Sequence, residues 1–416
     1  MYKVSVILTS FNHGKFIHEA IDSVLNQSFE DFELIIWDDA SSDDSWSVIS
    51  AFSDPRIKAF KNEVPKRGVY GINQSILDVA SGEFIAIHHS DDVWEADKLE
   101  KQVAFLESHL NVAAVFTNVK LIDETGSSLE GKAHPLVEIF NQPNRSRYEW
   151  LKRFFLLGNC LCHPSVLVRR SSYLACGAYR FGLGQSGDLD MWTRLCSKFE
   201  IYIYPEALIR FRVLNGEMNT SGNRPVARIR YLNENYELIQ IYRHILNAEN
   251  IFKVFPEFSH LDCGVNTDVE YVLAQVCLNS EPALHRYLMA IDILFNILNT
   301  PERKKSVEEI YGFTPIQFIA ITGKYEIFSR ETILHENNEK IQKILHENNE
   351  HVLNLNNKIT SHVHEVEALS FSISKLKSEL VVKSKALDAV YNSSSWQVTR
   401  PIRKVVTLFN RFRLKQ

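Results

Sequence analysis

Two acidic pairs, each placed shortly after an apolar run, constrain the fold of this chain more than any other feature. Asp38-Asp39 follows the apolar residues 34–37, and Asp91-Asp92 comes soon after residues 84–87. Both runs belong to a pattern in which short β-branched segments alternate with amphipathic helical stretches. This alternation predicts an α/β fold with a parallel sheet covered by helices, and such sheets bind ligands at the carboxyl ends of their strands. The sequence therefore predicts that both pairs lie at a binding edge.

The composition argues against several other classes of protein. The chain has 416 residues, of which 45% are hydrophobic and 23% charged, and its net charge of -5 argues against a general nucleic-acid binder. No apolar stretch approaches the roughly 18 residues that a membrane span needs, and no charged-then-apolar leader precedes the run that begins at Val4. Six cysteines without a C-x-x-C pair are expected to be free thiols. We therefore expect a cytoplasmic protein.

The pattern changes along the chain and predicts four segments. Residues 1–224 carry the α/β pattern, and residues 225–330 carry the apolar spacing of an α-helical module whose role the sequence does not reveal. Residues 331–390 contain an eleven-residue repeat followed by heptads, which predict a coiled coil and hence a homo-oligomer. The alternative is one long helix packed on its own domain. The heptad positions are Val352, Leu355, Ile359, Val366, Leu369, Ile373, Leu376, Leu380, Leu387 and Val390, with Asn338, Asn348, His362 and Lys383 as polar positions.

The last predicted segment, residues 391–416, combines large apolar side chains with six Lys or Arg and contains no Asp or Glu. This composition predicts a basic amphipathic helix that contacts an anionic membrane peripherally, at the inner face of the cell membrane. Docking onto another protein is the alternative.

The pair Asp91-Asp92 offers two carboxylates at the end of a buried strand. Hard oxygen ligands of this kind suit Mg²⁺ or Mn²⁺. From these residues alone, the alternative is that an Asp caps the helix that starts near Glu95.

Five motifs in a fixed order surround the acidic pairs. They are residues 4–12 (VSVILTSFN), 20–28 (AIDSVLNQS), 32–43 (FELIIWDDASSD), 80–85 (ASGEFI) and 90–92 (SDD). Over about residues 3–215 the chain thus resembles the family 2 glycosyltransferases of the GT-A fold. The resemblance implies a Rossmann-like mixed sheet with flanking helices and a nucleotide-sugar donor. It also implies that Mn²⁺ or Mg²⁺ neutralises the charge that grows on the diphosphate leaving group.

The same resemblance implies a role for each residue of the donor site. Thr9, Ser10 and Phe11 correspond to the segment that lines the nucleoside, with Phe11 placed to stack on the base. Asp39 corresponds to the carboxylate that accepts a hydrogen bond from a pyrimidine N3–H, which fits a UDP- or dTDP-sugar. Arg67 falls where the family often places a basic residue near the donor, and Lys66 is an equally good candidate.

The resemblance also implies a metal ligand and marks one departure from the family. Asp92 corresponds to the principal metal ligand and Asp91 to a contact with the ribose or the sugar. Members of the family usually read Asp-Ser-Asp-Asp here, whereas this chain has His89 in place of the first Asp. His89 is a candidate metal ligand, a candidate ribose contact or a packed strand-end residue.

A catalytic base and an acceptor-side residue complete the implied site. Asp188, just before a predicted helix, matches the carboxylate that takes the proton of the acceptor hydroxyl in inverting enzymes, and the alternative is a helix cap. Asp190 fits a charge in the first helical turn or a partner of an Arg. His163 matches a position that faces donor or acceptor, with a core residue as the alternative. The loop 210–224 is expected to act as a lid from which Arg212 or Arg224 reaches the diphosphate.

Residues 393–403 look like the terminal segment of many bacterial envelope-polysaccharide transferases. The resemblance therefore implies an inverting glycosyltransferase that acts on a surface glycan, such as an O-antigen or capsule, or on its lipid-linked precursor. The rival hypothesis is a non-catalytic coiled-coil scaffold that keeps a nucleotide-sugar-binding fold. A nucleotidyltransferase would need a Gly-rich loop after the first strand, where this chain has Ser10-Phe11-Asn12-His13.

Overall fold

The computed structural model describes residues 2–131, 134–214, 224–324 and 330–391, with side chains for 337–389 in the last range. Its contacts divide the chain into two compact units, Met1–Tyr325 and Glu326–Gln416. The predicted membrane-contacting tail and most of the predicted lid lie outside the described residues. Among the described helices, none is both long enough and apolar enough to cross a membrane.

The first unit is built on one eight-stranded sheet of mixed direction. Its spatial order is β3-β2-β1-β4-β7-β6-β8-β5. The strands are β1 Val4–Ser10, β2 Phe32–Asp38, β3 Ile57–Lys61, β4 Phe84–His89, β5 Val93–Trp94, β6 Val112–Ile122, β7 Leu167–Arg169 and β8 Glu200–Arg212. Strands β3, β2, β1 and β4 are parallel, as predicted, whereas β7 runs antiparallel to both β4 and β6. The sheet is therefore mixed, as the family resemblance implies.

Helices cover both faces of this sheet and extend beyond it. Within the sheet domain they are α1 Gly14–Leu25, α2 Ser45–Ala51, α3 Tyr70–Gln74 with a π-helical continuation Ser75–Val79, α4 Lys98–Ser108, α5 Pro135–Phe140, α6 Arg147–Leu157, α7 Arg170–Cys176 and α8 Gly187–Cys196. The helices that follow are α9 Pro225–Ile239, α10 Tyr242–Ile245, α11 Ile251–Val254, α12 Val269–Asn279, α13 Leu284–Leu298, α14 Pro301–Tyr311 and α15 Pro315–Thr322.

Alternate residues of the central strands enter two separate hydrophobic clusters. On β1, Val6 and Leu8 belong to the cluster on one face, and Ile7 belongs to the cluster on the other. All three are completely buried because successive side chains of a strand point to opposite faces and helices cover both. The continuous apolar run that predicted this strand reflects that double burial.

The helices after residue 224 share the core of one sheet face. Val272 of α12 and Ile293 of α13 belong to the same cluster as Ile7 and as Trp192 of α8. The segment 225–324 therefore packs directly on the sheet domain. The sequence-based boundary near residue 224 stays a prediction.

The second unit contains one long helix, α16, at Arg330–Tyr391. Its heptad side chains within residues 352–387 are exposed, for example Leu355 by 45%, Ile359 by 59% and Leu369 by 63%. Large apolar side chains of this kind are usually covered by a partner when they form one continuous seam.

Candidate active site

Three loops at the carboxyl edge of the parallel strands adopt strained backbone conformations. Asn12 follows β1, Ala40 follows β2, and Arg67 lies in the loop after β3; all three have positive φ angles of 54°, 59° and 61°. Non-glycine residues with positive φ are uncommon and concentrate at functional sites. Hydrogen bonds hold the first two loops together, because the Asn12 side-chain oxygen accepts from the Ser42 N–H at 2.8 Å.

The two members of the first acidic pair have different environments. Asp38 is fully buried and accepts from the backbone N–H and the hydroxyl of Ser41 at 2.9 and 2.5 Å. It is therefore a turn residue. Asp39 is half-buried and accepts from the Asn62 amide and from the backbone N–H groups of Lys66 and Arg67 at 2.6–2.8 Å. The Asp39 carboxylate thus fixes the loop that carries the predicted basic residues.

The loop held by Asp39 brings Arg67 against the predicted base-stacking residue. The Arg67 guanidinium lies 4.3 Å from the centre of the Phe11 ring. Neighbouring Ser10 is buried, and its hydroxyl has no hydrogen-bond partner among the described atoms. Thr9 is paired in register with both Trp37 of β2 and His89 of β4. The residues predicted to line the nucleoside are therefore adjacent to Asp39 and Arg67.

Arg212 is buried against the second acidic pair, Asp91-Asp92, and donates hydrogen bonds to both residues. Its side chain is 1% exposed, its Nε donates to the Asp91 carbonyl at 2.8 Å, and its backbone N–H donates to Asp92 Oδ1 at 2.8 Å. Its guanidinium also forms a salt bridge to Glu19 at 2.5 Å. Arg212 thus contacts protein atoms beneath the pair, which differs from the diphosphate contact suggested by its sequence position.

Asp92 is buried with one carboxylate oxygen unsatisfied. It is 1% exposed, and its Oδ2 has no hydrogen-bond partner among the described atoms. Burial, followed by the negative charge of Asp91, raises the pKa of Asp92 well above its usual range. His89 Nδ1 lies 3.7 Å from Asp92 Oδ2, and ligand atoms of His89, Asp91 and Asp92 all lie within 4.8 Å of one another. A divalent cation at this cluster would satisfy the orphaned oxygen.

His89 and His163 form a hydrogen-bonded pair that continues into the core. His89 Nε2 lies 3.2 Å from His163 Nδ1, and His163 Nε2 lies 2.9 Å from the Tyr179 hydroxyl. Burial lowers the pKa of both imidazoles, so both are neutral near pH 7. If His89 donates its Nε2–H to His163, its Nδ1 lone pair faces Asp92. His163, predicted from sequence, therefore contacts the acidic cluster through His89.

Asp188 is held at the start of α8 by two hydrogen bonds. Its Oδ1 accepts from the Leu189 N–H at 2.7 Å, and its Oδ2 accepts from the Asn159 amide at 2.6 Å. Burial raises the pKa of Asp188 to about 6 despite these bonds. A carboxylate with that pKa is deprotonated at pH 7 yet basic enough to accept a proton. Asp190 points elsewhere and pairs with Arg180 and Arg194 at 2.6 and 2.7 Å, as one sequence-based alternative proposed.

One short segment, residues 159–163, connects Asp188 to the acidic cluster. At its start Asn159 donates to Asp188, and at its end His163 contacts His89. Between them, the buried Cys162 thiol is close enough to Asp92 and Asp188 for both charges to raise its pKa, although burial is the main cause. The structure therefore brings the predicted metal ligands and the predicted base to one region of the sheet edge.

Sequence reasoning missed two residues that organise this region, Asn159 and Asn62, and gave a third, Arg212, a different role. Each acts through a partner far along the chain, at sequence separations of 29, 23 and 120 residues. No motif marked Asn159 or Asn62. Arg212 was assigned to the predicted lid, so its burial beneath the acidic pair was not predicted.

A mixed α/β sheet with this acidic edge defines a GT-A-type glycosyltransferase domain. The model of the family described as "Glycosyl transferase family 2" matches residues 5–174. The Escherichia coli protein "UDP-Glc:alpha-D-GlcNAc-diphosphoundecaprenol beta-1,3-glucosyltransferase WfgD" is 31% identical in an alignment of 266 residues that covers 60% of this chain and 98% of that protein. The chain belongs to glycosyltransferase family 2.

Two further proteins show the extent of the similarity. "Putative glycosyltransferase EpsE" of Bacillus subtilis is 32% identical in an alignment of 216 residues that covers 50% of this chain and 73% of that protein. The structure of S. aureus TarS 1-349 in complex with UDP-GlcNAc has 17% identity and a TM-score of 0.48, with 77% of this chain and 83% of that chain covered.

Proposed function

We propose that this protein transfers a hexose from a UDP-sugar, with inversion, to a lipid-linked bacterial surface glycan. The observation that carries the proposal is Asp188, a half-buried carboxylate whose pKa is raised to about 6 and which residues 159–163 connect to the acidic cluster. The name of the 31% identical relative supports the substrate class, since it specifies UDP-Glc and a diphosphoundecaprenol-linked acceptor.

In this proposal the donor nucleoside lies between the loops after β1 and β2. Thr9, Ser10 and Phe11 line the base and ribose, and Asp39 accepts from the pyrimidine N3–H. Asp39 already accepts three hydrogen bonds, and a carboxylate has about four acceptor positions, so one remains for the base. Arg67 covers Phe11 in the structure and would move aside or stack above the bound base. A dTDP-sugar would make the same contacts.

Asp92, with Asp91 and His89, would hold the Mn²⁺ or Mg²⁺ ion. The unpaired Asp92 Oδ2, the proximity of two carboxylates and the imidazole nitrogen 3.7 Å away all fit a cation. When bound, the ion would neutralise the charge that develops on the departing diphosphate. Arg212 keeps Asp92 Oδ1 engaged and so leaves Oδ2 as the free ligand atom.

Asp188 then acts as the base for the acceptor hydroxyl. As the hydroxyl oxygen attacks the anomeric carbon, Asp188 takes its proton, and the bond to the UDP oxygen breaks on the opposite face. Asn159 orients Asp188 Oδ2 for this transfer. Because the oxygen enters opposite the leaving group, the configuration at the anomeric carbon inverts.

The second unit would assemble two copies in a parallel coiled coil. Heptad positions alternate between β-branched residues, such as Ile359 and Ile373, and leucines, such as Leu355 and Leu369. In parallel dimers this arrangement favours two strands. In a parallel pair, each polar heptad position of one copy also lies beside the same position of the other copy. In an antiparallel pair centred on the midpoint of residues 338–390, His362 of one copy would instead lie beside Val366 of the other. The tail 391–416 would then contact the membrane that carries the lipid-linked acceptor.

Donor binding tests the first part of this proposal. The protein should be stabilised against thermal unfolding by UDP-glucose with Mn²⁺, more than by CDP-glucose at the same concentration, because Asp39 accepts from a ring N3–H that uracil has and cytosine lacks. The absence of stabilisation by UDP-, dTDP- and GDP-sugars alike would favour the non-catalytic scaffold.

A further inference from the structure

A carboxylate from the helical segment binds the backbone immediately before the proposed base. Glu234 lies on α9 and is 7% exposed. Its Oε1 accepts from the Gly184 N–H at 2.8 Å, and its Oε2 accepts from the N–H groups of Gln185 and Ser186 at 3.0 and 2.8 Å. Three consecutive backbone donors thus converge on one side chain. Such a concave set of N–H groups is an anion-binding arrangement, here filled by the protein itself.

The bound backbone leads directly into the first turn of α8. Ser186 is the residue before this helix, and Asp188 is its second residue. The Ser186 side chain makes no capping hydrogen bond, so the Glu234 carboxylate supplies the acceptor and the negative charge that favour a helix start. The conformation of residues 184–186 determines where α8 begins and hence where Asp188 lies. The hydrogen bonds to Glu234 hold that conformation.

Glu234 also acts on Asp188 through its charge. Burial is the largest cause of the raised pKa of Asp188, and the nearby negative charge of Glu234 raises it further. Asn159 acts in the opposite direction, because its hydrogen bond stabilises the ionised carboxylate. The charged Glu234 and the neutral Asn159 therefore shift the pKa of Asp188 in opposite directions.

We propose that Glu234 is a positioning residue for the catalytic base and that α9 is part of the catalytic machinery. This role rests on the proposed function of Asp188. It gives the segment after residue 224 a function that its sequence does not reveal, since Glu234 lies outside residues 5–174, the part matched by the family model. The buried Glu234 carboxylate both fixes the backbone before Asp188 and raises the pKa of Asp188 by its charge.

Glu234→Gln tests the role by removing the charge and replacing one acceptor oxygen with an NH₂ donor. With UDP-glucose, Mn²⁺ and a GlcNAc-diphospholipid acceptor, kcat should fall about 10- to 100-fold, because misplacing a reacting group by about 1 Å costs that much. The donor KM should stay within about twofold. The acid limb, which is the fall of kcat at low pH, should move to lower pH in this variant. Losing a neighbouring negative charge lowers the pKa of Asp188.

Glu234→Asp separates geometry from charge. The shorter side chain keeps the charge but cannot reach all three N–H groups, so kcat should fall while the acid limb moves less than in Glu234→Gln. Hydrogen–deuterium exchange of the full chain gives a readout without substrate. The amides of residues 184–186 should exchange faster in both variants.

Glu237→Gln is the matched control, since Glu237 is exposed on the same helix and should leave every readout unchanged. If Glu234→Gln matches this control in kcat, acid limb and exchange, the positioning role is wrong. Asp188→Asn distinguishes a failure of the proposed base from a failure of the role inferred for Glu234. Normal transfer by Asp188→Asn would overturn the base itself, whereas an inactive Asp188→Asn beside an unaffected Glu234→Gln would overturn only the inference about Glu234.

Discussion

At the scale of single residues, the proposed chemistry depends on how burial and hydrogen bonds tune a few side chains. Asp188 shows this most clearly, because burial raises its pKa to about 6 and the Asn159 amide limits that rise. A base must be deprotonated to act, so transfer should be nearly constant above pH 7 and fall as the pH drops through about 6.

Asn159→Ala should move this acid limb to higher pH. Without the amide donor the ionised form of Asp188 loses a stabilising bond, so its pKa rises. The pH dependence of kcat/KM measures the change, and the wild-type protein with the same acceptor is the reference. A limb that moves to lower pH in this variant would contradict the assignment.

His89 should determine which cation the acidic cluster prefers. Mg²⁺ strongly favours oxygen ligands, whereas Mn²⁺ accepts a mixed set of oxygen and imidazole ligands. His89→Ala should therefore weaken Mn²⁺ binding about 10-fold, and His89→Asp should improve Mg²⁺ binding relative to Mn²⁺. Titration of free Mn²⁺ by electron paramagnetic resonance measures this directly. Unchanged Mn²⁺ affinity in His89→Ala would show that the imidazole only packs against His163.

At the scale of structural elements, the sequence predicted those parts that depend on local patterns. The buried strands β1, β2 and β4 were recognisable because burial on both faces requires continuous apolar runs. The acidic pairs were assigned to the correct edge because parallel strands end there. The antiparallel β7 and its pairing with β4 and β6 depend on contacts far apart in the chain, and local periodicity carries no such information.

The same limit applies within the site. Asp39 and Asp92 belong to motifs, so their places were predictable. The bonds from Asn159 to Asp188 and from Glu234 to residues 184–186 join separate elements, and neither partner stands in a recognisable motif. The sequence also could not show that Arg212 is buried beneath the acidic pair, because its position suggested a mobile loop.

At the scale of the whole molecule, the exposed heptad side chains of α16 predict that the protein self-associates. Wild-type protein should have about twice the 48.0 kDa mass of one chain in light scattering. Leu369→Asp should reduce it to one chain, because a charge in the apolar seam is costly to bury. Leu353→Asp, a change at an exposed position off the seam, is the control. A monomeric wild-type protein would contradict the coiled coil.

Cysteine cross-linking tests the parallel orientation of the two helices. Leu355→Cys should form a disulfide-linked dimer with itself, because parallel pairing places the same heptad position in both copies together. Cross-linking only between Leu355→Cys and Ile373→Cys chains would indicate the antiparallel arrangement. The parent chain provides the background from its own thiols, of which Cys263 is exposed.

Single-turnover transfer by Asp188→Asn measures whether Asp188 removes the proton of the acceptor hydroxyl. The variant keeps the shape of the side chain, so UDP-glucose with Mn²⁺ should stabilise it as much as wild type. Transfer to the GlcNAc-diphospholipid acceptor should be about 10²- to 10⁴-fold slower, the usual contribution of a general base. Transfer by Asp188→Asn at the wild-type rate, with the donor bound normally, would contradict the account.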